Sequence, residues 1–235
     1  MNHLLFFPED KFENEILISG KRAAHILNIL NAKEGDEIKV GEYLGKVGTG
    51  TIKKIDESIH IKVNDENDPP EKIPLRVIIG LSRPKVMSRL IADITTSGVE
   101  HIDIIQTWYG DKGYWSNDIF SESGLKNCVV KGLEQSMDTI PPEIKLIKRF
   151  GPYSNDVLPG YLNEKTRGYI ANPGSEQSLK VNPEESAVIA IGPERGFTTY
   201  EVDQFIKAGF EPVALGKRIL RTEVAVHFAV SRFSS

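Results

Sequence analysis

The amino-acid sequence predicts an α/β protein in which a small β-barrel precedes a larger domain built on a parallel sheet. Short β-type segments separated by Gly or Asp turns occupy the first part of the chain, whereas strands and helices alternate in the second part. A polar, proline-rich stretch at Asn64–Pro74, "NDENDPPEKIP", separates the two patterns. We therefore expect a barrel over residues 1–68, a linker over 69–74 and the larger domain over 75–235.

The barrel is predicted from segments rich in Ile, Val and Thr, residues that are common in half-buried strands. Five segments are expected to be strands: Ile16–Ser19, Glu37–Val40, Tyr43–Val47, Thr51–Ile55 and Ile59–Val63. One helix, "KRAAHILNIL" at Lys21–Leu30, interrupts them, because its apolar residues form one stripe at helical spacing.

The larger domain alternates buried strands with helices, which indicates a parallel sheet covered on both faces. The predicted strands are Leu75–Leu81, His101–Thr107, Pro141–Ile147, Arg167–Asn172, Ser186–Ile191 and Phe210–Leu215. The predicted helices are Val86–Ser97, Ser116–Ser136, one that begins at Thr198, and Thr222–Arg232. Thr198 and Glu201 have the Thr-x-x-Glu spacing of a capping box, which predicts the start of the third helix.

Composition excludes several classes of function. The chain has 235 residues, of which 40% are hydrophobic, and a formal net charge of −4. An undirected nucleic-acid binder needs concentrated Lys and Arg, so any RNA contact must use local patches. No apolar run approaches the roughly 18 residues of a membrane span, and no leader is recognisable. We therefore expect a cytoplasmic protein without a membrane partner.

The cysteine and histidine content predicts no metal site. Cys128 is the single cysteine, so an internal disulfide or a cysteine-based metal site is excluded, and a small buried apolar role is expected. The five histidines show no ligand spacing such as i, i+4 with an intervening acid.

Three loops are expected at carboxyl ends of strands, where open parallel sheets bind their ligands. They are "ANPGS" (171–175), "GPERGF" (192–197) and "LGKRILRTE" (215–223). Glycine and proline in such loops let the backbone approach a ligand. A phosphate cradle is disfavoured, because "GPERGF" has neither the P-loop nor the dinucleotide spacing and Pro193 lacks an amide hydrogen. Taken alone, the loop is either a capped strand-to-helix turn or the wall of a pocket.

The stretch "IGPERGFTTYEVDQFIKAGFEPVALGKRILRTEVAV" resembles the signature of the RsmE-type ribosomal RNA uridine methyltransferases, in the SPOUT class of S-adenosylmethionine enzymes. The family pattern runs Ile-Gly-Pro-Glu-Gly-Gly-Phe, then Gly-Phe, then Leu-Gly-x-Arg-Ile-Leu-Arg-Thr-Glu-Thr-Ala. The rest of the likeness is weaker: "AAHILNILNAKEGDEIKV" resembles the family's PUA-like RNA-binding barrel, and "GLEQS" matches its Glu-Gln-Ser.

This resemblance implies a fold and a cofactor. The parallel sheet would carry a C-terminal trefoil knot, with S-adenosylmethionine bound inside it and the adenine held mainly by backbone groups. The implied cofactor-binding residues are Asn172, Pro173, Ile191, Gly192, Pro193, Glu194, Gly196, Leu215, Gly216, Ile219, Leu220 and Thr222. A homodimer formed through the knotted domain would complete the active site.

The resemblance also implies transfer of a methyl group to N3 of a uridine in 16S ribosomal RNA of the small subunit. N3 must lose its proton, and the negative charge that develops on the base needs a cation or hydrogen-bond donors. Arg221 is the first candidate for that contact. Glu223 and Glu194 are candidates for offsetting the sulfonium charge or orienting Arg221. The residues expected to bind RNA are Arg83, Lys85, Arg89 and Arg218.

The chain departs from the family pattern at several places. Arg195 stands where the family loop has glycine, and would cost about 1 kcal/mol or more if the position required a positive φ. Asp93 stands where a family helix has lysine, and Met137-Asp138 where Gly-Arg follows Glu-Gln-Ser. Thr107-Trp108-Tyr109 occupies the place of an arginine after the second strand. A second hypothesis therefore stays open: a divergent paralogue that acts on another RNA, or a non-catalytic protein that binds RNA or the cofactor.

Overall fold

The structure is a computed structural model. It describes residues 3–13, 15–28, 31–182 and 185–234, without the side chains of residues 25 and 65. The chain forms two compact units. The first comprises Met1–Glu71 and Val130–Pro141, and the second comprises Lys72–Val129 and Pro142–Ser235. The sequence did not indicate that Val130–Pro141 belongs to the first unit. The domain boundaries given above stay a prediction.

Six strands form the sheet of the first unit: β1 (Leu4–Phe6), β2 (Lys11–Phe12), β3 (Glu15–Ile18), β4 (Glu37–Glu42), β5 (Val47–Ile55) and β6 (Ile59–Asn67). They lie in the order β1-β4-β5-β6-β3-β2, and the sheet curls into a half-barrel. β1 is parallel to β4, and the other neighbours are antiparallel. Helix α1 (Gly20–Asn28) contributes Ala23 and Ile26 to the buried apolar core of this unit.

Two predictions for this unit were incomplete or wrong. The predicted strand Tyr43–Val47 is a turn as far as Lys46, because the N–H of Gly45 donates to the carbonyl of Glu42 (2.8 Å) and Leu44 has a φ of 64°. β1 and β2 were missed, since each is too short to show an alternating pattern. The end of the predicted first helix, Ile29 and Leu30, lies outside the described residues.

The second unit contains the predicted parallel sheet. Its strands are β7 (Ile73–Gly80), β8 (Val99–Ile105), β9 (Glu143–Ile147), β10 (Thr166–Ala171), β11 (Ser186–Ile191) and β12 (Glu211–Val213). They lie in the order β12-β10-β11-β7-β8-β9, and every neighbouring pair is parallel. The alternation of strands and helices in the sequence therefore predicted both the strands and their direction.

The α-helices after the first unit's sheet are α2 (Pro84–Thr96), α3 (Glu122–Ser136), the single turn α4 (Phe150–Pro152), α5 (Thr199–Lys207) and α6 (Thr222–Val230). The predicted capping box is present, because the Thr198 hydroxyl accepts from the N–H of Glu201 and the Glu201 carboxylate accepts from the N–H of Thr198. The prediction that α3 starts near Ser116 was wrong, since short 3-10 turns precede it and Asn117 caps the second of them. No helix in the described part of the chain is long and apolar enough to cross a membrane.

The buried carboxylate of Asp103 holds the segment that follows β9 against the sheet. Asp103 of β8 is fully buried and accepts hydrogen bonds from Arg76 (2.7 Å) and from the hydroxyls of Tyr153 (2.7 Å) and Tyr161 (2.8 Å). Burial, reinforced by the negative charge of Asp103, raises the pKa of both tyrosines, so both hydroxyls remain donors. These contacts hold residues 150–161, a helical segment that the sequence did not predict.

Met137 follows α3 with a φ of 57°, the left-handed conformation that glycine adopts most readily after a helix. The family pattern has glycine at this position. We therefore expect Met137→Gly to raise the free energy of unfolding by about 1 kcal/mol, measured by urea denaturation, because the strain of a side chain at positive φ is relieved.

Met137→Ala is the matched control, because alanine removes the long side chain and keeps a Cβ at the same φ. It should give no gain in stability. A glycine variant that is no more stable than the alanine variant would show that the backbone at Met137 is not strained.

Candidate functional site

The second unit has a cavity of about 310 Å³ at the carboxyl ends of β10 and β11. A volume of this size is typical of sites for small molecules. The wall consists of Ala171, Asn172, Pro173, Ile191, Gly192, Pro193, Glu194, Arg195, Gly196, Leu215, Gly216, Arg218, Ile219, Leu220, Thr222 and Ala225. The structure thus brings together every residue that was predicted to bind the cofactor, together with Ala171 and Arg195 of the predicted loops and Ala225, which was not predicted for any site.

Parallel pairing brings the three predicted loops to one edge of the sheet. Ile170 of β10 lies opposite Ala190 of β11 on one side and Pro212 of β12 on the other. Because the three strands run in the same direction, they end at the same edge, and the loops that follow them meet there. The cavity therefore lies where the sequence predicted a ligand site.

The chain after β12 contacts both of the other loops. The N–H of Asn172 donates to the carbonyl of Val213 (2.9 Å), and the N–H of Ala214 donates to the carbonyl of Gln177 (2.7 Å). Farther along, the hydroxyl of Thr222 donates to the carbonyl of Gly192 (3.2 Å). These bonds hold the final segment against the loops that follow β10 and β11, and the trefoil knot stays a prediction.

The backbone of the loop after β11 leaves no room for a Cβ at Gly80 or Gly192. A Cβ on Gly80, the last residue of β7, would lie 2.4 Å from Cδ of Pro193, and a Cβ on Gly192 would lie 2.9 Å from the carbonyl carbon of Gly196. Gly196 has a φ of 72°, in the region that favours glycine. Both interpretations of "GPERGF" therefore hold, because the loop forms a cavity wall and also leads into the Thr198 cap of α5.

Arg195 does not have the positive φ that would strain its backbone. That conformation belongs to Gly196, and Arg195 is not among the described non-glycine residues with positive φ. Its guanidinium carbon lies 4.3 Å from the ring centroid of Tyr109, at a distance typical of cation–π contacts. Two departures from the family pattern, Arg195 and Tyr109, thus contact each other beside the cavity.

The candidates for catalysis separate into two groups. Glu194 lines the cavity and is exposed. Arg221 and Glu223 are not among the described lining residues: Arg221 is the exposed residue that precedes α6, and half-buried Glu223 lies in the first turn. Arg218, which is predicted to bind RNA, also lines the cavity. The charged groups on the wall are therefore the carboxylate of Glu194 and the guanidinium groups of Arg195 and Arg218.

The other predicted RNA-binding residues lie at the start of α2. Arg83, Lys85 and Arg89 are exposed, and Lys85 and Arg89 share one face of the helix at i, i+4 spacing. Asp93, one turn farther along this row, lies 3.2 Å from Nε2 of His227 in α6. The acid that replaces the family's lysine therefore contacts the last helix, through an exposed pair that contributes at most about 1 kcal/mol.

Two further sequence predictions concern cysteine and metals. Cys128 is 4% exposed, which confirms the prediction of a small buried residue. Among the residues that the structure describes, no group of three or more His, Cys, Asp or Glu side chains is arranged to hold a metal ion.

Family models match both parts of the chain. The model described as an RNA methyltransferase domain matches residues 69–234. The model described as an RNA methyltransferase PUA domain matches residues 18–64.

Two relatives are similar over nearly the whole chain. Ribosomal RNA small subunit methyltransferase E 1 of Borreliella burgdorferi is 28% identical, and the match covers 95% of this chain and 93% of the relative. Ribosomal RNA small subunit methyltransferase E of Treponema pallidum is 27% identical, and the match covers 96% and 87%.

Solved structures are similar in fold. A Ribosomal RNA small subunit methyltransferase E of Neisseria gonorrhoeae, solved with S-adenosyl methionine, has a TM-score of 0.76 at 20% identity and covers 97% of this chain and 95% of its own. A Legionella pneumophila protein, solved with the same cofactor, has a TM-score of 0.77 at 18% identity and covers 99% and 97%.

Gly80→Ala is expected to displace Pro193 and with it the wall of the cavity. S-adenosylmethionine, the ligand that the loop motifs imply, should bind at least tenfold more weakly in titration calorimetry, because the added Cβ overlaps the loop after β11.

Gly160→Ala is the control, since its Cβ would have no neighbour within 4 Å. It should bind the ligand with wild-type affinity. Equal affinities of the Gly80→Ala and Gly160→Ala proteins would show that the close approach of Gly80 to Pro193 does not shape the site.

Proposed function

Because the chain belongs to the RNA methyltransferase domain family, we propose that it transfers a methyl group from S-adenosylmethionine to N3 of a uridine in 16S ribosomal RNA of the small subunit. The observation that carries this proposal is the cavity beside β10 and β11, whose wall contains every residue that the loop motifs assign to the cofactor. The names of the two similar relatives support ribosomal RNA as the substrate.

The chemistry of the wall fits the proposed cofactor. Backbone N–H and C=O groups of the glycine-containing loops can recognise an adenine edge, and the apolar side chains of Ile191 and Leu220 can contact its ring. The carboxylate of Glu194 can offset the positive charge of a sulfonium. When bound, the cofactor supplies an electrophilic methyl group.

Two arginines can provide the positive charge that the reaction needs. Removal of the N3 proton leaves negative charge on the uracil, and a guanidinium can stabilise it with two parallel hydrogen bonds. Arg218 lines the cavity and Arg221 lies beside it, and among the described residues neither forms an ion pair. We retain Arg221 as the first candidate for the substrate contact, with Glu223, two residues farther along the chain, as its orienting group.

The proposal also includes partners and location. The PUA-type first unit and the exposed cations Arg83, Lys85 and Arg89 would bind the RNA. Helix α6 exposes Val224 and Phe228 on one face at i, i+4 spacing, an apolar patch suited to a second copy of the chain. We therefore propose a homodimer formed through the second unit. We also propose a cytoplasmic location, and we retain the predicted domain boundaries, with a barrel over residues 1–68, a linker over 69–74 and the larger domain over 75–235.

A paralogue that acts on another RNA is the second candidate. The observation that favours it is the loss of basic residues: Asp93 pairs with His227 where the family has a lysine, and Tyr109 contacts Arg195 where the family has an arginine. Methylation of a different RNA by a protein that binds S-adenosylmethionine would identify this case.

The proposed function is tested by cofactor calorimetry together with mass spectrometry of ribosomal RNA from cells lacking the gene. The wild-type protein should bind S-adenosylmethionine, and 3-methyluridine should disappear from the 16S RNA of the deletion strain. Normal 3-methyluridine in that strain, with no second enzyme present, would refute the proposal.

Arg221→Ala should lower turnover at least tenfold, equivalent to about 1.4 kcal/mol of transition-state stabilisation, and should leave cofactor affinity unchanged. Steady-state methylation of RNA and calorimetry measure the two effects. Lys217→Ala is the control, because Lys217 is an exposed cation of the same loop that is absent from the described cavity wall. Equal turnover in the two variants would remove Arg221 from the mechanism.

A further inference from the structure

A second and larger cavity, of about 690 Å³, lies where β8 ends and α5 begins. Its wall includes Thr107, Trp108, Lys112, Phe150 and Tyr200. It shares no described lining residue with the cofactor cavity. The two sites are nevertheless adjacent, because Tyr109 follows Trp108 in the chain and contacts Arg195 of the cofactor cavity.

Two aromatic rings of this cavity are open to solvent. Trp108 is 81% exposed and Tyr200 is 62% exposed. Side chains of this size usually bury most of their surface, and exposed aromatic residues in a cleft often mark a binding site. Phe150 adds apolar surface to the same wall.

The backbone that presents Trp108 is fixed by buried hydrogen bonds. Its N–H donates to Oε1 of Glu201 (2.7 Å), and Glu201 is only 3% exposed. Nε2 of Gln106 donates to the carbonyl of Gly110 (2.7 Å), and Nε1 of Trp115 donates to Oε1 of Gln106 (2.7 Å). The exposure of Trp108 is therefore imposed by an ordered loop, which reduces the entropy cost of binding at this ring.

The wall also contains an unsatisfied polar group. Thr107 is 3% exposed, and its hydroxyl has no hydrogen-bond partner in the described part of the chain. A buried hydroxyl without a partner is unfavourable, so a ligand whose hydrogen-bonding atom reached it would gain stability.

Cations surround the cavity. Lys112 lies in the wall, and Lys148 and Arg149 are exposed immediately before Phe150. Nζ of Lys148 lies 5.9 Å from the ring centroid of Trp115. Such cations can contact phosphates on either side of a base that occupies the cavity.

Exposed rings, an unpaired hydroxyl and flanking cations are the combination that proteins use to hold unstacked bases of single-stranded RNA. We propose that the cavity formed by Thr107, Trp108, Lys112, Phe150 and Tyr200 binds an unstacked nucleobase of the RNA substrate, distinct from the uridine that is methylated. This inference rests on the proposed function in that it takes RNA as the substrate. Trp108 would stack on the base, in place of the arginine that the family carries after the second strand.

The test measures binding of a fluorescein-labelled single-stranded oligouridine of about ten nucleotides, a length within the site sizes of single-stranded RNA binders. Trp108→Ala and Tyr200→Ala should each weaken binding at least fivefold, whereas Trp108→Phe should retain most of the affinity because it keeps a ring. Ile206→Ala is the matched control, because Ile206 is an exposed apolar residue of α5 outside the described cavity wall, and it should bind like the wild type.

An abasic oligomer of the same length separates stacking from phosphate binding. The wild-type protein should bind it more weakly than oligouridine, and Trp108→Ala should bind the two oligomers alike. Wild-type affinity of the Trp108→Ala and Tyr200→Ala proteins for oligouridine would overturn the proposal. Weaker self-association of these variants in sedimentation, with RNA binding unchanged, would overturn it too and would identify the cavity as a protein contact.

Methyl transfer is measured in parallel so that the two proposals fail separately. If the wild type methylates 16S ribosomal RNA, Trp108→Ala should raise KM for the RNA at least fivefold and leave kcat unchanged. If the wild type transfers no methyl group, the proposed function fails, and the oligouridine comparison still decides whether the cavity binds a base.

Discussion

The carboxylate of Glu201 contacts the loops of both the cofactor cavity and the cavity beside Trp108. Its Oε2 accepts from the N–H and the hydroxyl of Thr198, which ends the loop that forms the wall of the cofactor cavity. Its Oε1 accepts from the N–H of Trp108, at the base of the second cavity. A carboxylate that is 3% exposed is unfavourable unless its oxygens are paired, and here both are. One residue of α5 therefore fixes two functional loops at once.

The parallel sheet supplies the second constraint. β11 lies between β10 and β7, so the loop that leaves β11 is packed between neighbours on both sides. The close approach of Gly80 to Pro193 is the consequence on the β7 side, and the bond from Thr222 to Gly192 is the consequence on the side of the final segment. The loop keeps its shape because backbone fills the space around it, which explains the glycine at 192 and the glycine at 80 that faces Pro193.

Local patterns predicted the parts of the structure that local interactions determine. The capping box at Thr198 and Glu201 and the alternation of strands with helices were both readable, and the loop motifs identified the cavity wall. Long-range contacts were not readable. The helical segment 150–161 depends on Asp103, some fifty residues earlier in the chain, and the bond from Trp108 to Glu201 spans a separation of 93 residues. The turn at Leu44 escaped prediction for a different reason, since its positive φ occurs at a residue that usually avoids it.

The departures from the family pattern have a common structural meaning in the second unit. Asp93 contacts His227, and Arg195 contacts Tyr109, so each substituted residue forms a side-chain contact within the second unit. The first change replaces a cation with an acid in the exposed row that begins with Lys85 and Arg89, and the second brings a guanidinium to the edge of the cofactor cavity. Trp108 precedes Tyr109 in the loop after β8. This loop therefore carries an aromatic surface where the family has an arginine. Charge contributes to RNA affinity without regard to sequence and weakens with salt, whereas stacking depends on an accessible base. Under the base-binding role proposed for the second cavity, the substitutions favour recognition of an unpaired RNA segment over attraction to any phosphate backbone, while the residues that the loop motifs assign to the cofactor still line the first cavity.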